Sequence, residues 1–136
     1  MVNHMKRTLV SAFLSLALCA QAPAGTLNVN TGVIASGTAG VTIGTVPQNC
    51  VVYTVTIANL TANAITGGVN VGTVAAPTTI LNAQAVAASM NYFISQAPTP
   101  ANSTTLVAAE PVAIQIAAVT SWNNANLNVA VTYACY

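Results

Sequence analysis

Side chains that could take part in catalysis are scarce in this chain, and most of them lie at its N-terminal end. The 136 residues contain one histidine, two basic side chains and one acidic side chain. His4, Lys6 and Arg7 lie close together at the start, whereas Glu110 stands alone far along the chain. General acid–base catalysis needs paired titratable groups, and a serine or cysteine nucleophile needs a neighbouring base. We therefore expect no enzymatic activity.

The same scarcity argues against metal, cofactor and nucleic-acid sites. Zinc and calcium are held by several His, Cys or carboxylate ligands, and residues 25–136 contain one carboxylate side chain and no histidine. Affinity for nucleic acid rests on Lys and Arg, which are also absent there. Glu110 precedes Pro111 in a predicted turn, where we expect an exposed carboxylate.

The N-terminal segment has the pattern of a secretory signal peptide. Lys6 and Arg7 form a basic start, and the apolar run over residues 9–20 is too short to span a bilayer. Small residues at Ala22 and Ala24 predict cleavage before Gly25. Cleavage after Ala22 is less favourable, because a proline would follow the cut.

Two segments are thus predicted, a signal peptide over residues 1–24 and one domain over residues 25–136. Export would place the domain outside the cell, in a periplasm or at a cell surface, with no membrane association once the signal is removed. An uncleaved apolar arm or membrane anchor is the alternative. At 54% hydrophobic residues and 2% charged residues, the chain is too apolar for disorder and long enough for one core.

Apolar and polar residues alternate along the end of the chain, as in a strand with one buried face. Its predicted inward residues are Leu127, Val129, Val131, Tyr133 and Cys135. Similar short segments, separated by turn residues, occur at 27–33, 41–46, 50–58, 69–74, 92–94, 104–108 and 112–119. Residues 81–90 fit a short helix, but their β neighbours favour strand or loop. Seven to eight strands predict an antiparallel β-sandwich or jelly roll.

Two details of the strand pattern can be tested. Val51, Tyr53, Val55 and Ile57 are predicted to share the buried face of the strand over residues 50–58. The cysteine that opens this strand lies off that alternation, so we expect a bulge or turn to redirect it. The pair of glycines at 67–68 predicts a tight turn before the next strand.

Two cysteines remain after the predicted signal peptide. Export places Cys50 and Cys135 in an oxidising compartment, which favours a disulfide between an early strand and the last one. A reactive thiol is the alternative, but neither cysteine has a cationic neighbour in the sequence that would activate it.

Several uncharged residues are candidates for contact with a partner. Trp122 is either a rim residue that closes the sandwich or an anchor of an interface. Leu27, Val29 and Val33 alternate near the mature N-terminus and could contact a neighbouring subunit. Because colloidal repulsion is weak in a chain with so little charge, self-association is favoured. The triplets that begin at Asn59 and Asn102 match the N-glycosylation motif.

Three stretches resemble a family of small phage-encoded β-sandwich proteins of the virion surface, of the head-decoration or head-fibre type. They are residues 45–47, 51–73 and 118–133, and the patterns N-x-TANA-x-TGG-x-x-x-GT and AVT-x-WN-x-A are their most specific parts. The resemblance extends over about residues 41–133. It implies a structural role on a virion surface and no catalytic residues.

The signal-like start and the cysteine pair depart from that family. They keep open an exported, pilin-like filament subunit, in which residues 27–33 would complete a neighbour's sheet as a donor strand. A secreted monomeric β-sandwich is the third alternative. We predict a structural protein that binds copies of itself or joins a larger assembly such as a capsid or filament.

Overall fold

Nine β-strands form the part of the chain that the computed structural model describes, which is residues 24–89, 91–94, 105–106 and 110–135. Within these ranges there is no helix, so none is long and apolar enough to cross a membrane. The strands are β1 (Ala24–Asn30), β2 (Val41–Val46), β3 (Cys50–Asn59), β4 (Ile65–Thr73), β5 (Leu81–Val86), β6 (Asn91–Ile94), β7 (Thr105–Leu106), β8 (Val112–Ala118) and β9 (Leu127–Cys135).

The strands form two antiparallel sheets. One sheet has the order β1-β9-β3-β6, with β7 also pairing with β3, and the other has the order β2-β8-β4-β5. Seven strands have six or more residues, and β6 and β7 are shorter. The predicted antiparallel β-sandwich is confirmed. The predicted signal peptide lies outside the described residues, apart from Ala24.

The core lies between the two sheets and consists mainly of β-branched side chains, which pack well on a pleated surface. In β9 the predicted alternation is confirmed, since Leu127, Val129 and Val131 are buried and Asn128 is exposed. The other large side chains of the core are Ile43, Val46, Val55, Ile57, Ile65, Val69, Val71, Leu81, Val86, Ile114, Ile116 and Trp122.

A β-bulge near the start of β3 changes which residues face the core. The pairing with β9 passes from Val52 directly to Thr54, so Tyr53 is an extra residue on the bulged strand. Tyr53 is 46% exposed, and the prediction that it shares the buried face was wrong. The expectation for Cys50 is confirmed, because the bulge lets both Cys50 and Val55 face inward.

Gly67 and Gly68 do not form a turn, contrary to the prediction, because both lie inside β4. Gly68 has a φ of 76°, and a Cβ atom there would lie 2.7 Å from the backbone carbonyl carbon of Ala83. The pairing of β4 with β5 shifts at this point. Glycine is required here because the irregular strand needs both a positive φ and a close backbone approach.

The first strand lies further toward the N-terminus than predicted. β1 ends at Asn30, and its seven residues pair with β9 of the same chain without a register shift. Leu27 packs over Gly44 of β2, where a Cβ atom would lie 2.9 Å from a Leu27 methyl carbon. The absence of a side chain at Gly44 therefore lets the two edge strands approach each other across the sandwich.

Asn59 is a buried polar residue that joins the end of β3 to two loops. It is 3% exposed, and its Nδ2 donates to the carbonyls of Asn63 and Ala87 at 2.7 and 3.0 Å. Its Oδ1 accepts from the backbone N–H and the hydroxyl of Thr61. An amide with this many partners stabilises the connection and is closed to the glycosylation that the sequence motif suggested. The second motif, at Asn102, lies outside the described residues.

Replacing Asn59 with alanine is expected to lower the free energy of unfolding by about 3 kcal/mol, because the four hydrogen bonds of its buried amide are lost. Asn63 provides a matched control, since its side chain is exposed and donates one 3.3 Å bond to the Asn124 carbonyl. Urea denaturation should show a loss of less than about 1 kcal/mol for Asn63→Ala. Equal losses in the two variants would contradict the role given to Asn59.

Candidate interaction surface

The two predicted cysteines form a disulfide. Cys50 opens β3 and Cys135 closes β9, and the two residues lie directly opposite each other in the sheet. Both are buried, at 0% and 6% exposure. The bond excludes the alternative of a reactive thiol at either position. It fixes the last residue of β9 to a central strand of its sheet.

Trp122 has no exposed surface, so it offers nothing to a partner. Its indole Nε1 donates to the carbonyl of Ala39 at 2.9 Å, and its backbone N–H donates to Gly37 at 3.1 Å. These bonds join the segment between β1 and β2 to the segment before β9. The alternative of an interface anchor does not fit this position, because the ring fills the end of the core.

The other predicted interface residues, Leu27, Val29 and Val33, lie on β1 and in the loop that follows it. Leu27 and Val29 are half-buried on β1 and pack against the core. Val33 lies in the following loop and is 66% exposed. The three therefore do not form a single apolar patch.

The outward-facing side of the first sheet is uncharged in its three neighbouring strands β1, β9 and β3. We call this the outer sheet face and define it by nine residues of three neighbouring strands. They are Thr26, Asn28 and Asn30 of β1, Asn128, Ala130 and Thr132 of β9, and Thr54, Thr56 and Ala58 of β3.

Small polar side chains meet across the strands of the outer sheet face. The Asn30 amide donates to Asn128 Oδ1 at 2.7 Å, and the hydroxyls of Thr26 and Thr132 lie 3.5 Å apart. A shallow groove of about 420 Å³ runs over this face. With amides, hydroxyls and methyl groups alone, the face can form hydrogen bonds and van der Waals contacts but has no group for acid–base chemistry.

Charge is almost absent from the described surface. Glu110 is exposed, and it is the one charged side chain in the sequence after residue 24. Among the described residues, no three His, Cys, Asp or Glu side chains come close enough to hold a metal ion.

The outer sheet face was not predicted from the sequence. The sequence did contain a pattern that indicates this face. Thr26, Asn28 and Asn30 alternate with apolar residues, and so do Asn128 and Thr132. What the sequence did not reveal is that the first strand pairs with the last, which joins the two polar rows into one surface.

Comparison with known proteins gives one informative similarity. No protein-family model and no curated protein sequence matches this chain. A chain of the solved cyanophage Pam1 capsid asymmetric unit has a similar structure, with a TM-score of 0.50 and 20% sequence identity. The match covers 99% of this chain and 98% of that chain. The β-sandwich described above is therefore a fold that also occurs in a phage capsid.

Proposed function

We propose that this protein is a non-enzymatic structural subunit of a phage virion, located at the outer surface of the particle. The observation that carries the proposal is the structural similarity to a chain of the cyanophage Pam1 capsid asymmetric unit. Because almost all of both chains is aligned, the two chains are similar in length. The similarity thus relates this protein to a whole small chain of a capsid rather than to one domain of a larger subunit.

The chemistry of the surface supports an assembly role. The amides and hydroxyls of the outer sheet face can bond to another protein surface without the desolvation of charged groups. Repulsion between copies is weak, because residues 25–136 carry one charged side chain. Closely packed copies on a particle would therefore repel each other little.

The disulfide supports a location outside the reducing cytosol. Thiols in the cytosol are kept reduced, whereas the buried Cys50–Cys135 bond requires an oxidising environment to form. Both a released virion and an exported protein meet this condition. We further propose that residues 1–24 are a signal peptide. Cleavage before Gly25 would remove Ala24, the first residue of β1, and would leave the other six residues of this strand paired with β9.

The pilin-like filament is less well supported. A donor strand must leave its own subunit, yet β1 forms seven consecutive pairs with β9 of the same chain. This intrachain pairing favours a subunit that folds completely before it assembles.

Quantitative mass spectrometry of gradient-purified virions tests the proposal. We expect the protein to copurify with the particles at a constant ratio to the major capsid protein, with its first peptide beginning at Gly25. If the protein is absent from the virions and is found instead among filaments sheared from cells, the virion role is contradicted. A first peptide that begins within residues 1–24 would contradict the signal peptide but not the virion role.

A further inference from the structure

Among the described residues, no strand pairs with the outer edge of β1, which presents its backbone groups in a regular row. The N–H of Thr31 donates to the carbonyl of Leu127, which continues the register of β1 against β9. Hydrogen-bonded pairs alternate in an antiparallel ladder. The backbone groups of Leu27 and Val29 therefore point toward β9, and those of Thr26, Asn28 and Asn30 point away from it.

The opposite side of β9 confirms this alternation. The N–H of Leu60 donates to the carbonyl of Asn126, which continues the register between β3 and β9. Asn128 and Ala130 therefore direct their backbone groups to β3, which leaves Val129 and Val131 to bond with β1. Both observations assign the same residues of β1 to its outer edge.

Among the edge strands that the structure describes, β1 has a long edge without irregularities. Folded proteins protect edges with charges, prolines, bulges or short strands. The second sheet follows this rule, since the pairing of β2 shifts between Thr42 and Gly44 and β5 contains Ala83 with a φ of 49°. On the far side of the first sheet, β6 and β7 have four and two residues. β1 has seven residues, no charge, no proline and no bulge.

We propose that β1 pairs antiparallel with β1 of a second copy of this chain, about a two-fold axis at Asn28. In this register Asn28 lies opposite its own equivalent and Thr26 lies opposite Asn30, so that three pairs exchange about six hydrogen bonds. Leu27 of each copy then lies opposite Val29 of the other, on the side that faces the core. No like-charged side chains meet, because β1 contains no charged side chain.

This pairing rests on the proposed self-assembling role and names the surface that performs it. It joins the β1-β9-β3 sheets of two subunits into one continuous sheet. The two outer sheet faces become neighbours on one side of that sheet, which doubles the uncharged surface available to a capsid. Pairing of this kind requires β1 to remain in its own subunit, unlike donor-strand exchange.

Proline at position 28 tests the inference, because the Asn28 N–H points away from β9 and its loss leaves the subunit's own sheet intact. We expect a dimer in the wild-type protein by sedimentation velocity. In Asn28→Pro the dimer dissociation constant should rise about 10- to 100-fold, because two central hydrogen bonds are lost. Asn28→Ala, which keeps the N–H, should remain a dimer.

Thr26→Pro provides a second variant, since its N–H also points to the outer edge and proline is tolerated early in an edge strand. Circular dichroism and an intact disulfide establish that each variant is folded. Amide hydrogen exchange at Thr26 and Asn30 should be slow in the wild type and fast in Asn28→Pro.

Three other outcomes would overturn the inference. If the wild type self-associates and the folded proline variants associate equally well, the edge pairing is wrong and self-assembly stands. If the proline variants still build filaments, β1 is exchanged between subunits instead. If the wild type stays monomeric across all concentrations, the pairing and the self-association both fail, while a virion location is decided separately by mass spectrometry of the particles.

Discussion

Replacing Cys50 and Cys135 together with alanine is expected to lower the free energy of unfolding by about 4 kcal/mol. The disulfide closes a loop with a sequence separation of 85 residues, so its loss restores much conformational freedom to the unfolded chain. Both sulfur atoms belong to buried residues, which adds a loss of packing. For a domain of this size the melting temperature should fall by about 15–20 °C.

The loss of stability is expected to be large because the domain has few other interactions that could replace the disulfide. Residues 25–136 contain no basic side chain, so no side-chain salt bridge can form within them. The bond also holds Cys135, the last residue of β9, against Cys50 at the start of β3. Without it, the end of β9 is held in the sheet by strand pairing alone.

Calorimetry with and without a reductant provides the measurement and its control. The reductant should lower the melting temperature of the wild type toward that of the double alanine variant, and it should leave the variant unchanged. If the reduced wild type melts at the same temperature as the oxidised protein, the stabilising role of the disulfide is wrong.

Trp122→Ala is expected to lower the free energy of unfolding by about 4 kcal/mol. The indole is fully buried, and its removal leaves a cavity at the end of the core. It also removes the donor to the Ala39 carbonyl, which attaches the segment between β1 and β2. Amide exchange at Ile34 and Asn124, whose N–H groups bond across the same two segments, should become faster.

Trp122→Phe separates the two contributions. Phenylalanine keeps most of the apolar volume but lacks the N–H, so we expect a loss of about 1–2 kcal/mol from the unpaired carbonyl and the smaller ring. A loss below about 1 kcal/mol for Trp122→Ala would contradict the buried position of the indole. Denaturation in urea, followed by circular dichroism because the fluorophore is removed, distinguishes these outcomes.

The fold could be predicted from the sequence wherever one buried face determined the pattern. β9 alternates strictly, and its inward residues were identified correctly. The disulfide could be predicted because Cys50 and Cys135 are the two cysteines that remain after the predicted signal peptide. The segment 81–86 was correctly favoured as strand or loop because its neighbours are strands, although its own residues fit a helix.

The errors in the fold have local physical causes. Period-two alternation assumes a regular strand, and the extra residue Tyr53 reverses it within β3. Gly67 and Gly68 were assigned to a turn because paired glycines usually mark one, but here the second glycine adopts a positive φ inside β4. The limits of β1 were displaced because Ala24 and Gly25 resemble a cleavage site more than a strand.

The interaction surface was less predictable than the fold. The sequence showed that residues 25–136 lack the groups needed for catalysis, which limited the possible functions. It did not show which strands are neighbours, and the outer sheet face exists because β1 and β3 lie on either side of β9. Trp122 could not be assigned from its neighbours, since Asn123 and Asn124 are exposed whereas the indole is buried.

Cryo-electron microscopy of virions, compared with particles that lack this gene, tests whether the protein is part of the virion surface. We expect surface density that fits the β-sandwich in the wild-type particles and is missing from the deletion particles. Wild-type and deletion particles with identical density would contradict the proposal that this protein is a structural subunit of the virion surface.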